Sequence, residues 1–320
     1  MISARIQLIG RDNGAGLSRD IALLADALRT TGSSVTLKPL PHRGRVAEWL
    51  TRLRLSRGSP AFDLNLMLER IRPEFAHAAR HNVLIPNPEY FRAQDRAALD
   101  QVDALWVKTH HAARLFDTLG VPTQQIGFIS PDRREADIVR RPAFFHGPGR
   151  SNNKGTEALL KLWAAHPAWP ILTVVWRRKR IQLDALPANV RLIRDHLDDT
   201  AYRRLQNEHR FHVCPSQTEG YGHYLVEAMS CEAVVITLDA EPMNELVATG
   251  RGVLVPAHAT GRQDLATCYG FSPDAMTAAI EHCIAMPEAT AMQLGQMARR
   301  WYEIEQAAFP ARLRSALDAL

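Results

Sequence analysis

Two glutamates eight positions apart, Glu219 and Glu227, stand in the stretch VCPSQTEGYGHYLVEAMSCEAVVITLDA, residues 213–240. FHVCPS reads as the end of a buried strand, EGYG cannot continue it, and HYLVEAMSC has the apolar spacing of a helix packed on a sheet. Strand, glycine loop and helix N-terminus together make an anion site. Gly220 and Tyr221 belong to that loop, and the backbone N–H groups of Gly222, His223 and Tyr224 point out of the first turn, where the helix dipole favours a phosphate. Two carboxylates repel a phosphate, so Glu219 and Glu227 suit neutral hydroxyls on either side of it. A molecule with phosphate in the middle and polyols at both ends is a nucleotide sugar. Taken singly, each glutamate reads as an ordinary surface or helix-face acid; the loop and the EAM run join them into one site.

A second cluster supplies positive charge. FFHGPGRSNNKGTEALL places Arg150 and Lys154 after a strand, among Gly147, Gly149 and Gly155. A diphosphate leaving group gains charge as its glycosidic bond breaks, so a fixed arginine and lysine stabilise the transition state more than the ground state. The plain alternative is a solvated basic turn. GRDNGAGLSRD, after the first strand, offers Gly14 and Gly16 before a helix. Alone it signals only a turn.

Strand-like and helix-like segments alternate along the chain, which predicts parallel, doubly wound sheets. In the first half ARIQLIG, SVTLKPL, DLNLML, HNVLIP and ALWVK read as strands, with SRDIALLADALRTTG as a crossover helix. In the second half AFFHG, PILTVVW, NVRLIR, FHVCPS and AVVITLD are strands, separated by KGTEALLKLWAAH, DDTAYRRLQNEH and the glutamate-bearing helix. The charged FISPDRREADIVRRPAF, about residues 129–144, reads as the joint. The tail WYEIEQAAFPARLRSALDAL reads as helix broken near Pro310.

The chain has 320 residues, 46% hydrophobic and 23% charged, with formal net charge +5, enough to bury a core in two domains. No run reaches membrane-spanning length, and MISARIQLIGRDNG reads as a first strand, not a signal peptide. A cytoplasmic protein is expected. Cys214, Cys231, Cys268 and Cys283 form no C-x-x-C pair and read as reduced, buried thiols. The arginine-rich PHRGRVAEWLTRLRLSRG (Arg43, Arg45, Arg52, Arg54, Arg57) reads either as a solvated surface or as a basic face for an anionic membrane or nucleic acid. WRRKR, residues 176–180, follows a strand whose end suits phosphate contact through Arg177 or Arg178.

The signature P-S-x-x-E-G-[FY]-G followed by E-A-M resembles the E-x7-E motif of glycosyltransferase family 4 and its retaining GT-B relatives. Pro215, Ser216, Glu219, Gly220, Tyr221, Gly222, Glu227, Ala228 and Met229 fall in place. The resemblance implies two Rossmann-like domains facing a central cleft: 1–138 for the acceptor, 139–300 for the donor, and 301–320 a helix crossing back to the first. It implies retaining transfer from a nucleoside-diphosphate sugar, UDP or GDP, with no metal and no cofactor. Glu219 would meet donor-sugar hydroxyls, Glu227 the ribose hydroxyls, and Arg150 with Lys154 the diphosphate. Gly16 would touch that diphosphate from the other domain. Arg194, after NVRLI, would reach the base. The acceptor, whether glycan, lipid-linked, small molecule or nucleic acid, would meet the N-terminal domain, with peripheral contact to the inner face of the membrane through residues 43–57.

The chain also departs from the family pattern. Where many members carry a histidine near the reacting sugar, LIPNPEYF offers Asn87 and Glu89, with His111 or its neighbour His110 as alternatives. The usual glycine after A-M-A-C is Glu232, the following proline is Val234, and D-x-G-G-x-x-E becomes DAEPMNE, with Glu245 kept. Three rivals remain, of which the missing histidine and the altered DAEPMNE loop favour the first and the arginine-rich segment the third. One is a non-catalytic nucleotide-sugar-binding protein; another is a GT-B epimerase or phosphorylase; the third is a nucleic-acid-modifying protein.

Overall fold

A computed structural model describes residues 4–11, 14, 16–40, 45–56, 58–149, 151, 153–177 and 186–320, with the backbone alone for 45–49. The chain divides into two compact units. Unit 1 holds Met1–Ile129, Gln263–Ala266 and Glu305–Leu320; unit 2 holds Ser130–Arg262 and Thr267–Ile304.

Unit 1 runs β1 (Arg5–Gly10), α1 (Gly16–Thr30), β2 (Ser34–Pro39), α2 (Arg45–Leu55) and β3 (Phe62–Leu68). It continues with β4 (Ala79–Ile85), α3 (Ala93–Arg96), β5 (Ala104–Val107), α4 (His110–Phe116) and β6 (Thr123–Gln125). Among the described residues these strands form one six-stranded parallel sheet, ordered β2-β1-β3-β4-β5-β6. In β3, Leu64 to Leu68 are all buried, the near-continuous apolar run that a sheet covered on both faces demands. Asn65 is tolerated there because its amide donates to Phe75 O and Asn82 Oδ1, each at 2.8 Å. The core on one side gathers Ile9, Met67, Leu84 and Leu105 around Phe91 and Phe116, whose rings meet edge-on at 5.0 Å.

Unit 2 runs β7 (Arg141–His146), α5 (Thr156–Ala165), β8 (Leu172–Val175), β9 (Val190–Ile193), α6 (Asp199–Glu208) and β10 (His209–Cys214). Then come α7 (His223–Ser230), β11 (Val234–Asp239), α8 (Met243–Leu246), β12 (Val253–Gln263), β13 (Ala266–Phe271), α9 (Pro273–Ile284) and α10 (Glu288–Asp318), which belongs to unit 1 from Glu305 onward. Its sheet is ordered β13-β12-β11-β10-β7-β8-β9, and β7 to β12 pair in parallel. Starting from β7, this is the order of dinucleotide-binding folds, which reverses direction between the first and fourth strands. Phe144 anchors the core, edge-on to Trp163 at 5.4 Å and stacked on Phe211 at 5.1 Å. Helix starts follow local chemistry: Asp198 caps α6 by accepting from Ala201 N at 2.7 Å, and Ser272 caps α9 ahead of Pro273.

Three features differ from the sequence reading. Strand β6 and the β12–β13 pair were not expected; VLVPAHATGRQ carries proline and glycine and is exposed from His258 to Arg262, so it lacks the pattern of a buried strand. Asp264 and Leu265 alone link β12 to β13, a connection only antiparallel strands can use. The tail is not broken at Pro310, because α10 runs through it as one helix. An internal proline costs a helix about 3 kcal/mol. Burial on both sides of it offsets that: Phe309 and Leu313 are fully buried, Phe309 meets Phe128 at 5.4 Å, and Arg312 Nε donates to Ile126 O at 2.9 Å.

All four cysteines are free thiols, but Cys268, on β13, is only half-buried rather than buried as expected; burial pushes Cys231 and Cys283 up to about 12, out of the range of reactive thiolates. Arg52 and Arg54 on α2 are exposed, whereas Arg43, Arg57, Arg178 and the side chains of Arg45 and Trp49 lie outside the described residues. Among the described residues no helix is long and apolar enough to cross a membrane.

Truncating Phe309 to alanine should lower the stability of unit 1 by about 3–5 kcal/mol. Urea unfolding followed by tryptophan fluorescence would read this as an earlier first transition. A shift below about 1 kcal/mol would separate the end of α10 from that core.

Candidate active site

The reversal of direction in unit 2 falls between β7 and β10, the place where open α/β sheets bind ligands beyond their carboxyl ends. The loops leaving these strands, 147–155 and 215–222, carry the sequence-derived candidates and are joined backbone to backbone. Gln217 N–H donates to Asn153 O at 2.8 Å, and Tyr269 N–H donates to Gln217 O at 2.8 Å. Gly155, the residue before α5, has φ 63°, and a Cβ there would lie 2.7 Å from Pro215 O. Both the backbone conformation and the space require glycine.

That close passage delivers Lys154 to Glu219. Their side chains form an ion pair, 12% and 10% exposed, and the Ser216 hydroxyl also donates to Glu219 Oε1 while sharing a hydrogen bond with the Tyr224 hydroxyl. Lys154 Nζ stands 4.4 Å over the Tyr224 ring. Lys154 is therefore already neutralised by the carboxylate that the sequence assigned to a neighbouring task. Arg150 lies outside the described residues.

Gly222 precedes α7 with φ 106° and ψ 50°, and a Cβ on it would sit 2.6 Å from Leu225 Cδ1. Its carbonyl accepts from Leu225 N at 3.0 Å and Val226 N at 3.2 Å, which starts the helix and aims the first-turn N–H groups of His223 and Tyr224 along the axis. Gly220 and Tyr221 are buried; the Tyr221 and His223 rings lie 5.4 Å apart, and His223 Nδ1 hydrogen-bonds Ser130 Oγ at 2.8 Å. Glu227, one turn further, is 3% exposed and accepts from Gln206 Nε2 at 3.2 Å. Gln206 is held in turn by Arg133 Nε at 2.9 Å, and Arg133 also reaches Asp199 at 2.7 Å and, by its backbone N–H, Ser230 Oγ at 2.9 Å. Sequence reasoning missed Gln206 and Arg133. Neither lies in the signature segment, and no spacing ties them to it.

The other candidates stand elsewhere. Arg194 is exposed just after β9, the edge strand two places from β7, about 10 Å away by ordinary strand spacing. Gly16 is the first residue of α1 in unit 1. Asn87, after β4, accepts from Lys108 Nζ at 3.1 Å, and Lys108 is also paired with Asp20 in the buried interior of unit 1. Glu89 is buried with its carbonyl taking Gln263 Nε2 at 2.9 Å, and His111 is buried in the first turn of α4, while His110 is exposed.

Residues 176–267 match the family model for glycosyl transferases group 1. Solved structures resemble the whole chain. Sucrose-phosphate synthase from Thermosynechococcus elongatus superimposes with TM-score 0.73 at 16% identity, covering 99% of this chain and 98% of that one. A glycosyltransferase from Rickettsia africae gives TM-score 0.74 at 12% identity over 100% and 98%. HepE of Anabaena, solved in complex with UDP and glucose, gives 0.71 at 15% identity over 99% and 100%. At such identities the likeness is one of fold, and the chain has the two parallel-sheet α/β units of GT-B glycosyltransferases. No curated protein sequence matches the chain.

Against that family pattern, the glutamate in place of glycine after α7 finds a physical explanation. Glu232 keeps the left-handed turn, φ 57°, and closes the helix through Ala233 N to Ala228 O at 3.1 Å and its own N–H to Met229 O at 3.0 Å. A non-glycine residue there costs about 1 kcal/mol. Ion pairs to Arg134 at 2.8 Å and Arg140 at 3.0 Å give its side chain a fixed place in return.

Behind the two loops lie histidines that burial keeps neutral. His146 is lowered to about 4 and His212 to about 3, chiefly by desolvation. Neutral His146 donates from Nδ1 to Val213 O at 2.7 Å, which leaves Nε2 to accept the Thr156 hydroxyl at 2.8 Å. One ring thus ties β7 to β10 and to the start of α5. Because the folded value lies below the usual 6.5, the unfolded chain takes the proton first as pH falls. Stability from this residue is full above pH 6.5 and is lost down to about pH 4, at about 1.4 kcal/mol per pH unit. His146→Asn should be less stable at pH 7 yet show a shallower loss between pH 6.5 and 4.5 in urea titrations. An identical slope would contradict a neutral buried imidazole.

Proposed function

We propose that the chain moves a sugar from a nucleoside-diphosphate sugar to an acceptor with retention of anomeric configuration and without a metal. The observation that carries this reading is the Lys154–Glu219 pair, held by two loops at the switch point directly before α7. Glu219 falls within the residues that match glycosyl transferases group 1, 176–267, and Lys154 falls before them.

In this reading the diphosphate sits on the first-turn N–H groups of α7, and Glu227 takes the ribose hydroxyls from its anchored position on Gln206. Glu219 takes hydroxyls of the donor sugar. Without donor, Lys154 and Glu219 satisfy each other. When donor binds, each acquires a partner of its own chemistry: the diphosphate for the ammonium, the sugar hydroxyls for the carboxylate. As the glycosidic bond breaks, charge grows on the diphosphate oxygen, and Lys154, with Arg150, meets it with fixed positive charge. The acceptor hydroxyl attacks from the side the diphosphate leaves, bonds to the anomeric carbon, and passes its proton to the departing oxygen. Uridine diphosphate is the first donor class to try, because HepE was solved with UDP and glucose; GDP is the second.

A thermal-shift panel of UDP-, GDP- and ADP-sugars should show one base class raising the melting temperature, since a ligand bound only by the folded state stabilises it. With that donor, Glu219→Gln should lower kcat by about ten- to a hundredfold, the worth of one charge-assisted hydrogen bond. Lys154→Ala should slow single-turnover transfer more than it weakens donor binding. Full turnover in both variants, or no shift with any nucleotide sugar, would sink the assignment. Separately, Glu227→Ala should weaken nucleotide affinity by calorimetry, and an unchanged Kd would take Glu227 out of the ribose site.

A further inference from the structure

Unit 1 has a switch point of its own. Its order places β1 between β2 and β3, so the connections that leave β1 and β3 part company at their carboxyl ends. A cavity of about 440 Å³ opens there, its charged lining being Arg11 after β1, Glu69, Arg70, Arg72 and Glu74 after β3, and Arg92 and Asp95 beyond β4. Such a volume suits a small polar molecule.

The charges lining it are unequal in status. Arg70 is neutralised by Asp95, which is itself buried and accepts the backbone N–H groups of Ile71 and Arg92, each at 3.2 Å. That pair is a fixed wall. Arg11, Arg72 and Arg92 make no ion pair among the described residues, although all three border the same space. Three arginines that border one space repel one another less once an anion stands among them. Glu69 lines the same cavity, paired with Arg70 at 3.9 Å, and its backbone is in the left-handed region at φ 67°, a conformation that a non-glycine residue holds at a cost and that concentrates at functional positions. Burial keeps its carboxyl above the usual carboxylate range despite Arg70 and Arg92.

We propose that this cavity binds a phosphate monoester of a small polyol, with the phosphate on Arg11, Arg72 and Arg92 and the hydroxyls toward Glu69. A carboxylate offers two oxygens, which one arginine can occupy in a bidentate pair. A phosphate monoester carries about −1.5 to −2 charge and three terminal oxygens, enough to engage several guanidinium groups at once. Taking this ester as the acceptor rests on the glycosyl-transfer reading above; its binding does not.

Calorimetry on the full chain with glycerol 3-phosphate, glycerate and glycerol separates the possibilities, with UDP titrated into the same preparations. Glycerol 3-phosphate should bind at least about tenfold more tightly than glycerate, and glycerol should give no heat. Arg72→Gln and the exposed Arg92→Gln should each weaken it by about tenfold or more, with UDP affinity unchanged. Equal affinity for glycerate, no binding of glycerol 3-phosphate, or undiminished binding in the double variant would overturn the proposal. So would sedimentation of the protein with phosphatidic acid vesicles in the absence of any glycerol 3-phosphate binding, since the phosphate would then belong to a lipid. Loss of UDP binding alone would refute the donor reading and leave this site standing.

Discussion

The passage of Gly155 against the Pro215 carbonyl is the constraint on which the arrangement of unit 2 depends. No side chain fits there, and the left-handed backbone at Gly155 turns the chain so that Lys154 projects across the gap between two strands. The ion pair that results is poor evidence of stabilisation, because removing two charges from water offsets most of their attraction. Its value is positional. Each member has a second neighbour, Ser216 for the carboxylate and the Tyr224 ring for the ammonium, so neither is free to rotate away when the other changes partner. Buried histidines do a related job without adding charge: His146, and His209 at the start of β10, which burial also lowers from its ordinary value, bind backbone carbonyls and threonine hydroxyls and fasten the strands that hold the loops.

Each unit places its charged groups beyond the carboxyl ends of its strands, and the reason is the same in both. The central strands of each sheet are buried on two faces, so an uncompensated charge within them would be left without solvent or partner. The ends are where the chain can carry polar groups, and the switch point is where adjoining connections separate enough to leave space. Unit 2 fills its point with a matched lysine and glutamate under a helix N-terminus. Unit 1 carries an excess of arginine around a cavity. The two sites thus differ in charge balance while sharing a topological origin.

Much of the architecture was legible in the residues, because buried parallel strands announce themselves as short apolar runs between amphipathic helices. DLNLML and AVVITLD are such runs, and they sit in the sheets as expected. VLVPAHATGRQ was illegible for the opposite reason: most of its outer half faces solvent, and proline and glycine suggest a loop. Pro310 misled because its local penalty is real but smaller than the packing of Phe309 and Leu313 around it. At the candidate site, the signature exposed Glu219 and Glu227, and the glycine-rich turn exposed Lys154. That Lys154 and Glu219 pair with each other could not be read, since 65 positions separate them and only the neighbouring placement of β7 and β10 joins them.

The support beneath Glu227 shows why a charged, irregular stretch should not be dismissed as a connector. Residues 130–140 have no regular period, yet they belong to unit 2 and Arg133 is 9% exposed within it. A buried guanidinium is tolerable only if its donors are used, and Arg133 spends them on Gln206 and Asp199 while its carbonyl accepts from Asn207 at 2.7 Å. Gln206 then has one orientation: its oxygen faces Arg133, so its amide nitrogen faces Glu227. A carboxylate on a helix can sample several rotamers, and this chain of donors favours the one in which Glu227 meets Gln206. The signature glutamate is thereby positioned by two residues outside the signature, and the family pattern names the group without naming what aims it.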